Sequence, residues 1–363
     1  MTAGSIFPAL SLDRTVVPWN RRLLDLTPVE DRAGVHWKRE DYFAPLGYGG
    51  INGAKLRQCI FLIGRAAANG ARVVVTGASV KSPQLSMTTA VARHFGLRTV
   101  IIVGSPRQGS AVRHPNVAIA AALGADLVLA NIAYNPALQA KAKAVAAATA
   151  DSFLLEYGIT TSITSWIEPF HALGGHQAQN IPPDVTTLYL PAGSCNTCVS
   201  VLYGLAAHRP PALRRVVLFG IGPTRLAWIH ERLAQIEGAS HLRPRRLFRR
   251  VFHSWPELAA AQDADVLPAR DAITLEHFDL HTTRFASYQD EMPFRYAGID
   301  FHPTYEGKVM TYLDRHRARF PGFFAPVAGE RAMFWIVGSP PSMAAMGAAL
   351  RPVLDRLPSR GAA

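Results

Sequence analysis

Lys55 stands where a glycine-rich turn, Gly49-Gly50-Ile51-Asn52-Gly53, runs into an apolar helical stretch. A lysine at such a junction, in hydrophobic surroundings, has its pKa lowered, and its neutral amine can form a Schiff base. On these residues alone the alternative is an ordinary surface lysine opening a helix. Far along the chain, Gly193-Ser194-Cys195-Asn196-Thr197 follows an apolar run and opens a second helix. Successive backbone N–H groups at the positive end of a helix make an anion site, and small side chains let a phosphate approach. Ser194 and Thr197 can add hydroxyl donors; the plainer reading is a βα turn with Thr197 as N-cap. A third stretch, Ser79 to Gln84, lies at the carboxyl end of a strand, where open α/β sheets place ligands. Ser79, Ser82 and Gln84 are candidates to grip a substrate carboxylate, and Pro83 fits a first helical position. The fourth is Thr304-Tyr305-Glu306-Gly307-Lys308. A first-turn Glu stabilises a helix start; it can also aim a carboxylate at a ring nitrogen, with Ser339 as a second polar contact to the same ring.

The elements that must position these groups alternate. Residues 55–69 predict a helix with Leu56, Ile60, Ile63 and Ala67 on one face. Strands follow at 72–77, 97–103 and 126–130, separated by helices that end near Phe95, at 110–123 and at 136–150. This pattern predicts parallel strands with right-handed crossovers. It resumes with strands at 186–190 and 214–220 and helices at 198–207 and 224–237. A helix at 305–320, a strand at 333–337 and a closing helix to about Leu357 complete the reading. Residues 1–35 read as an arm with one strand or short helix, and 156–184 as mixed. The expected division is a large domain, 1–70 with 156–363, and a small one, 71–155, with a basic insertion at about 240–295.

Hydrophobic residues make up 49% of the 363, which excludes wholesale disorder. No apolar run reaches the roughly 18–20 residues of a membrane span, and no basic-then-apolar leader opens the chain, so we expect a cytoplasmic protein. Three cysteines cannot build a disulfide framework, and no second Cys or His pair near Cys195 and Cys198 suggests a metal. The net charge of +12 implies an acidic partner such as nucleic acid, or simply a basic proteome. Arg243, Arg245, Arg246, Arg249 and Arg250, with Phe248, Phe252 and Trp255 among or beside them, resemble a nucleic-acid groove; Arg315, Arg317 and Arg319 form a second cluster. A solvated charged face is the plainer account of each.

Taken in order, the Asn-x-x-Lys-x-Arg segment, the Ser-rich turn, the Gly-Ser loop and Tyr-Glu-Gly-Lys resemble the fold-type II pyridoxal-phosphate (PLP) enzymes, the tryptophan synthase β-subunit class. Asp300 to Lys308 looks most like the aminocyclopropane-carboxylate deaminase and D-cysteine desulfhydrase branch. The resemblance spans residues of about 36–345. It implies two open, mostly parallel α/β domains with PLP between them, and a homodimer. It implies that Lys55 is the Schiff-base lysine and that Gly193, Ser194, Cys195, Asn196 and Thr197 hold the cofactor phosphate. Glu306 then faces the pyridine nitrogen, Tyr305 is the active-site tyrosine, and Ser82 belongs to the substrate-carboxylate loop. The family commonly has Asn after that serine; here it is Pro83, and Asn52 is the candidate replacement.

Three functions follow from the resemblance and the charge. Lys38 to Pro45 and Gly50 to Gln58 are similar to PLP enzymes of tailed phages, whose relatives tailor amino-acid groups attached to thymine in DNA, for example by decarboxylation. That implies a lyase acting at Cα of such an adduct in the host cytoplasm, with the arginines on duplex DNA. The alternatives are a deaminase or desulfhydrase acting on a free small amino acid, and a non-catalytic PLP-fold protein that binds an acidic partner.

Overall fold

The structure, a computed structural model, describes residues 23–46, 51–105, 111, 114–132, 134–260, 262 and 265–340. Gly49 and Gly50 of the glycine turn and the closing helix expected to Leu357 lie outside them. The described chain forms two compact units, Leu24–Phe43 with Ile163–Pro340, and Ala44–Ser162.

The first unit starts with a hairpin, β1 (Val29–Arg32) and β2 (Val35–Arg39), turned through Ala33 and Gly34, both at positive φ. The arm expected at 1–35 is therefore, where described, the start of a sheet. Its hydrophobic pattern is masked because β2 buries cations: Lys38 donates to the Thr27 carbonyl at 2.8 Å and Asn180 Oδ1 at 2.6 Å, and Arg39 pairs with Glu30 and Asp41.

The second unit follows. Its elements are α1 (Ala54–Ala68), β3 (Val73–Ser79), α2 (Gln84–His94), β4 (Arg98–Gly104), α3 (Pro115–Ala122), β5 (Asp126–Ala130), α4 (Asn135–Ala147) and β6 (Ser152–Leu155). The strands are all parallel in the order β5-β4-β3-β6. The chain winds outward from β3 to β5 and then returns to the other side of β3. The order therefore reverses between β3 and β6, and the Ser79–Gln84 turn stands at the carboxyl end of that switch point, the usual ligand position of an open α/β sheet. α1 groups with this unit, so the division falls near residue 44 and not at 70.

The chain then returns to the first unit with α5 (Thr164–Gly175), β7 (Thr187–Ala192), α6 (Asn196–Ala207), β8 (Arg215–Gly220), α7 (Leu226–Ala239), β9 (Phe248–Phe252) and β10 (Ile273–Asp279). A short hairpin, β11 (Phe294–Tyr296) and β12 (Ile299–Phe301), precedes α8 (Glu306–Arg315) and β13 (Ala332–Ile336). The sheet order is β1-β2-β13-β7-β8-β10-β9, parallel except for the β1–β2 pair. Residues 240–295 thus supply two strands of the main sheet, with β10 between β8 and β9, where we expected an insertion. One face is sealed by an aromatic core in which Trp37 lies 5.5 Å from Phe301 and 5.7 Å from Phe334. Truncating one such ring costs about 3–5 kcal/mol. Here too the strand order reverses, between β7 and β13, and both carboxyl ends carry candidate residues.

Hydrogen exchange tests the placement of β10. Its amides should be protected to the level of those in β8, because both are interior strands. Exchange of Ile273–Asp279 at loop rates would contradict this sheet order.

Candidate active site

In the first unit the site is built on the ends of β7 and β13. β7 ends at Ala192, and the next residues turn into α6, whose first N–H groups have no acceptor within the helix. The turn is closed by Cys195, which takes a left-handed backbone at φ 68°. Glycine fits that conformation freely, whereas an L side chain there costs roughly 1–2 kcal/mol. The helix begins at Asn196, with Cys195 at the cap position; its Sγ donates to the Gly193 carbonyl at 3.6 Å and does not cap the helix. Thr197 is therefore inside the first turn, and the alternative that made it the N-cap is corrected. Ser194 and Asn196 are buried, and Thr197 is half-buried. A Cβ built on Gly193 would stand 3.5 Å from Tyr305 Cε1, so the Tyr305 ring lies against the floor of this turn.

Tyr305 and Glu306 owe their places to the residues just before them. The His302 carbonyl accepts from Tyr305 N at 3.1 Å and Gly307 N at 2.9 Å, and His302 Nδ1 accepts from Thr304 N. Gly307 passes so close to the Met292 carbonyl that a Cβ would stand 2.1 Å from its oxygen; only glycine fits. Glu306 is fully buried at the start of α8, and its Oε1 accepts from Val337 N at 2.8 Å, beyond the end of β13. Its Oε2 is buried with no hydrogen-bond partner among the described residues. Burial pushes the carboxyl pKa up to about 8, against the Val337 and Gly338 N–H groups, which lower it. Ser339 comes two residues after Val337.

Two further residues join this cluster without having been singled out in the sequence. Tyr288 Oη lies 3.0 Å from Tyr305 Oη. The buried Lys308 donates to the carbonyls of Ser287 at 2.6 Å and Tyr288 at 3.2 Å, which fixes the segment carrying Tyr288. Lys308 sat in a recognised motif without a role, and a lone tyrosine in an unpatterned stretch gives no signal.

In the second unit, Lys55 is the second residue of α1 and half-buried. It follows Gly53, whose φ of 105° requires glycine. Asn52 is buried just ahead of it. At the switch point, Ser79 ends β3, and Ser82 Oγ accepts from Gln84 N at 3.3 Å, the start of α2. Gln84 departs from its expected role. Its Nε2 donates to Thr76 Oγ1 at 2.6 Å and to the Glu156 carbonyl at 3.1 Å, and its Oε1 accepts from Gly158 N at 2.7 Å. Both amide hydrogens are committed. Gln84 ties the turn after β6 to β3 and has no donor left for a substrate carboxylate.

Most of the 243–250 basic cluster is engaged by neighbours. Arg245 pairs with Glu237 at 2.6 Å, Arg246 with Asp265 at 3.3 Å, and Arg250 contacts His230 at 3.1 Å. Arg243 donates to the carbonyls of Glu237, Ser240 and Leu242. Local partners hold these four; Arg249 is exposed and has no such tie among the described residues. Among the described residues no group of His, Cys, Asp and Glu could hold a metal ion, and no helix is long and apolar enough to cross a membrane. His171 is fully buried, with Nδ1 3.0 Å from Ser200 Oγ, and burial holds its pKa well below the ordinary value.

No protein-family model matches the chain. It is 37% identical to the O-seryl-dTMP PLP-dependent decarboxylase of Salmonella phage ViI, over 95% of this chain and 89% of that one. The chain belongs to the family of that PLP-dependent enzyme. Among solved structures it resembles an ACC deaminase homologue, with a TM-score of 0.65 at 18% identity over 96% of this chain and 99% of that one. It also resembles maize serine racemase, with a TM-score of 0.54 at 13% identity over 94% and 97%. These likenesses bear on the fold, the fold-type II PLP architecture. A PLP-family site needs an amine, an anion cradle and a partner for the pyridine nitrogen. The open, buried Glu306 Oε2 and the turn floored by Gly193 fit the last two.

Glu306 makes a testable signature in the protein without PLP. Its folded pKa of about 8 lies above the ordinary 4.5, so the folded state holds the extra proton between those values. Stability should fall as pH rises from about 4.5 to about 8 and then level off. In denaturant titrations Glu306→Gln should flatten that decline. Identical pH profiles for the two proteins would contradict the assignment.

Proposed function

We propose that this chain is a PLP-dependent decarboxylase that removes CO2 from a seryl group attached through its side-chain oxygen to thymidine monophosphate, as a nucleotide or within DNA. The activity named for the phage relative, matched over nearly the whole chain, supports the substrate class. The choice of bond rests on one observation, the shortage of donors at the Ser79–Gln84 turn. Pro83 has no N–H, and the Gln84 amide is committed elsewhere. A carboxylate held by few donors is poorly solvated and loses CO2 more readily than one gripped tightly. Ser79 and Ser82 remain to orient it.

PLP, when bound, supplies the ring that accepts the electron pair left at Cα. Lys55 would carry the cofactor and, displaced by the substrate amine, hold the proton that Cα receives as the C–CO2 bond breaks. The group left on the nucleotide is then a 2-aminoethyl ether. The turn from Gly193 through Ser194, Cys195 and Asn196 to Thr197 would take the cofactor phosphate, and Glu306 Oε2 the ring N–H. A ring N–H⁺ there offers the buried carboxyl the counter-charge it lacks, which favours ionised Glu306. Ser339 and Asn52 are the further candidate polar contacts, Asn52 in place of the donor missing at Pro83. The Tyr305–Tyr288 phenol pair can hold and pass one proton.

The wild-type protein with PLP should show the visible absorbance band of the lysine-bound cofactor, and O-seryl-dTMP should shift it where free serine does not. Lys55→Ala should lose the band and lower turnover on the order of 10³-fold or more. A colourless wild type after adding PLP, or a band that survives in Lys55→Ala, would overturn the reading.

A further inference from the structure

The second arginine cluster differs from the first. Arg284, Arg315 and Arg319 are exposed, and none has a carboxylate partner among the described residues. Arg315 and Arg319 are backed by rings: the Arg315 guanidinium lies 5.3 Å from the centre of Phe285, and that of Arg319 lies 5.0 Å from Phe278. The nearby carboxylates are engaged. Asp314 pairs with Arg317, Glu276 with Arg215 and His253, and Asp290 accepts from Ser287 N. A guanidinium held over a ring by cation–π attraction still has N–H donors for a phosphate.

These charges are linked to the candidate site through one helix. Arg315 ends α8, and Tyr305 and Glu306 start it, about 15 Å away at 1.5 Å per residue. The segment from Arg284 to Tyr288 runs back along the same helix. Phe285 packs on Tyr312 at 5.0 Å, and Tyr288 reaches Tyr305 at the other end. Lys308 pins that segment from below. A strand of DNA entering at the arginines would cover the distance in about four phosphates at 3.4 Å each.

We infer that Arg284, Arg315 and Arg319 hold the phosphate backbone of a DNA strand that carries the modified thymidine. This rests on the proposed thymidine-linked substrate. It differs from the sequence reading in moving the contact from the 243–250 arginines to the end of α8.

The test is salt-dependent binding of the holoenzyme to a thymidine-containing oligonucleotide, measured by fluorescence anisotropy apart from any turnover. Arg315→Gln/Arg319→Gln should weaken binding about tenfold or more and reduce the slope of log affinity against log salt by about two. Arg284→Gln should add to the loss, and Arg246→Gln should leave affinity and slope unchanged. Thermal unfolding of each variant, expected to match wild type because the side chains are exposed, excludes misfolding. Unchanged affinity and slope in the double variant would overturn the inference, as would absence of DNA binding at low salt, the outcome expected if these arginines serve an acidic protein. Because binding is read without catalysis, a protein that binds as described but releases no CO2 would sink the proposed reaction and leave this surface standing.

Discussion

Glu306 has no exposed surface, and moving an ionised carboxylate to that depth costs several kcal/mol unless something replaces the water. The fold replaces half of it: the N–H of Val337 meets one oxygen, and the other is left open. Much of the first unit serves that arrangement. β13 must lie beside β7 for Val337 to reach α8. Gly307 must lack a side chain for the helix to start against Met292, and the His302 carbonyl gathers the N–H groups of the turn. The same strand neighbour, β7, then delivers the Gly193 turn to Tyr305.

The second unit follows the same topological rule in a smaller sheet and uses its switch point differently. There the strongest polar side chain, Gln84, works as a clamp between β3 and the turn after β6. Such a clamp makes the turn rigid while leaving it poor in donors. That combination suits a reaction in which the carboxylate is oriented and then departs. A turn lined with donors would instead favour chemistry that retains it.

Much of this was legible in the sequence, for physical reasons that also explain the failures. The β/α alternation of the second unit is carried by short apolar strands and helices of ordinary length, and β3, β4, β5 and their helices fall within a few residues of expectation. β9 was lost because it is an edge strand bearing Arg249 and Arg250. Two adjacent arginines, one on each face of the strand, read as a solvated run. β2 was lost because its cations are buried and paired. The candidate residues Lys55, Glu306 and Gly193 were legible from order and spacing. The roles of Gln84 and the 243–250 arginines were not, since they depend on partners such as Glu156, Gly158 and Asp265 that only the fold brings near.

The central claim is that the bond broken joins Cα to the carboxylate. The most direct measurement is mass spectrometry of the nucleotide product formed from O-seryl-dTMP in heavy water. Loss of CO2, retention of the amine and one deuterium at the former Cα are the predicted result. Release of ammonia with the carboxylate kept on the product would contradict the account.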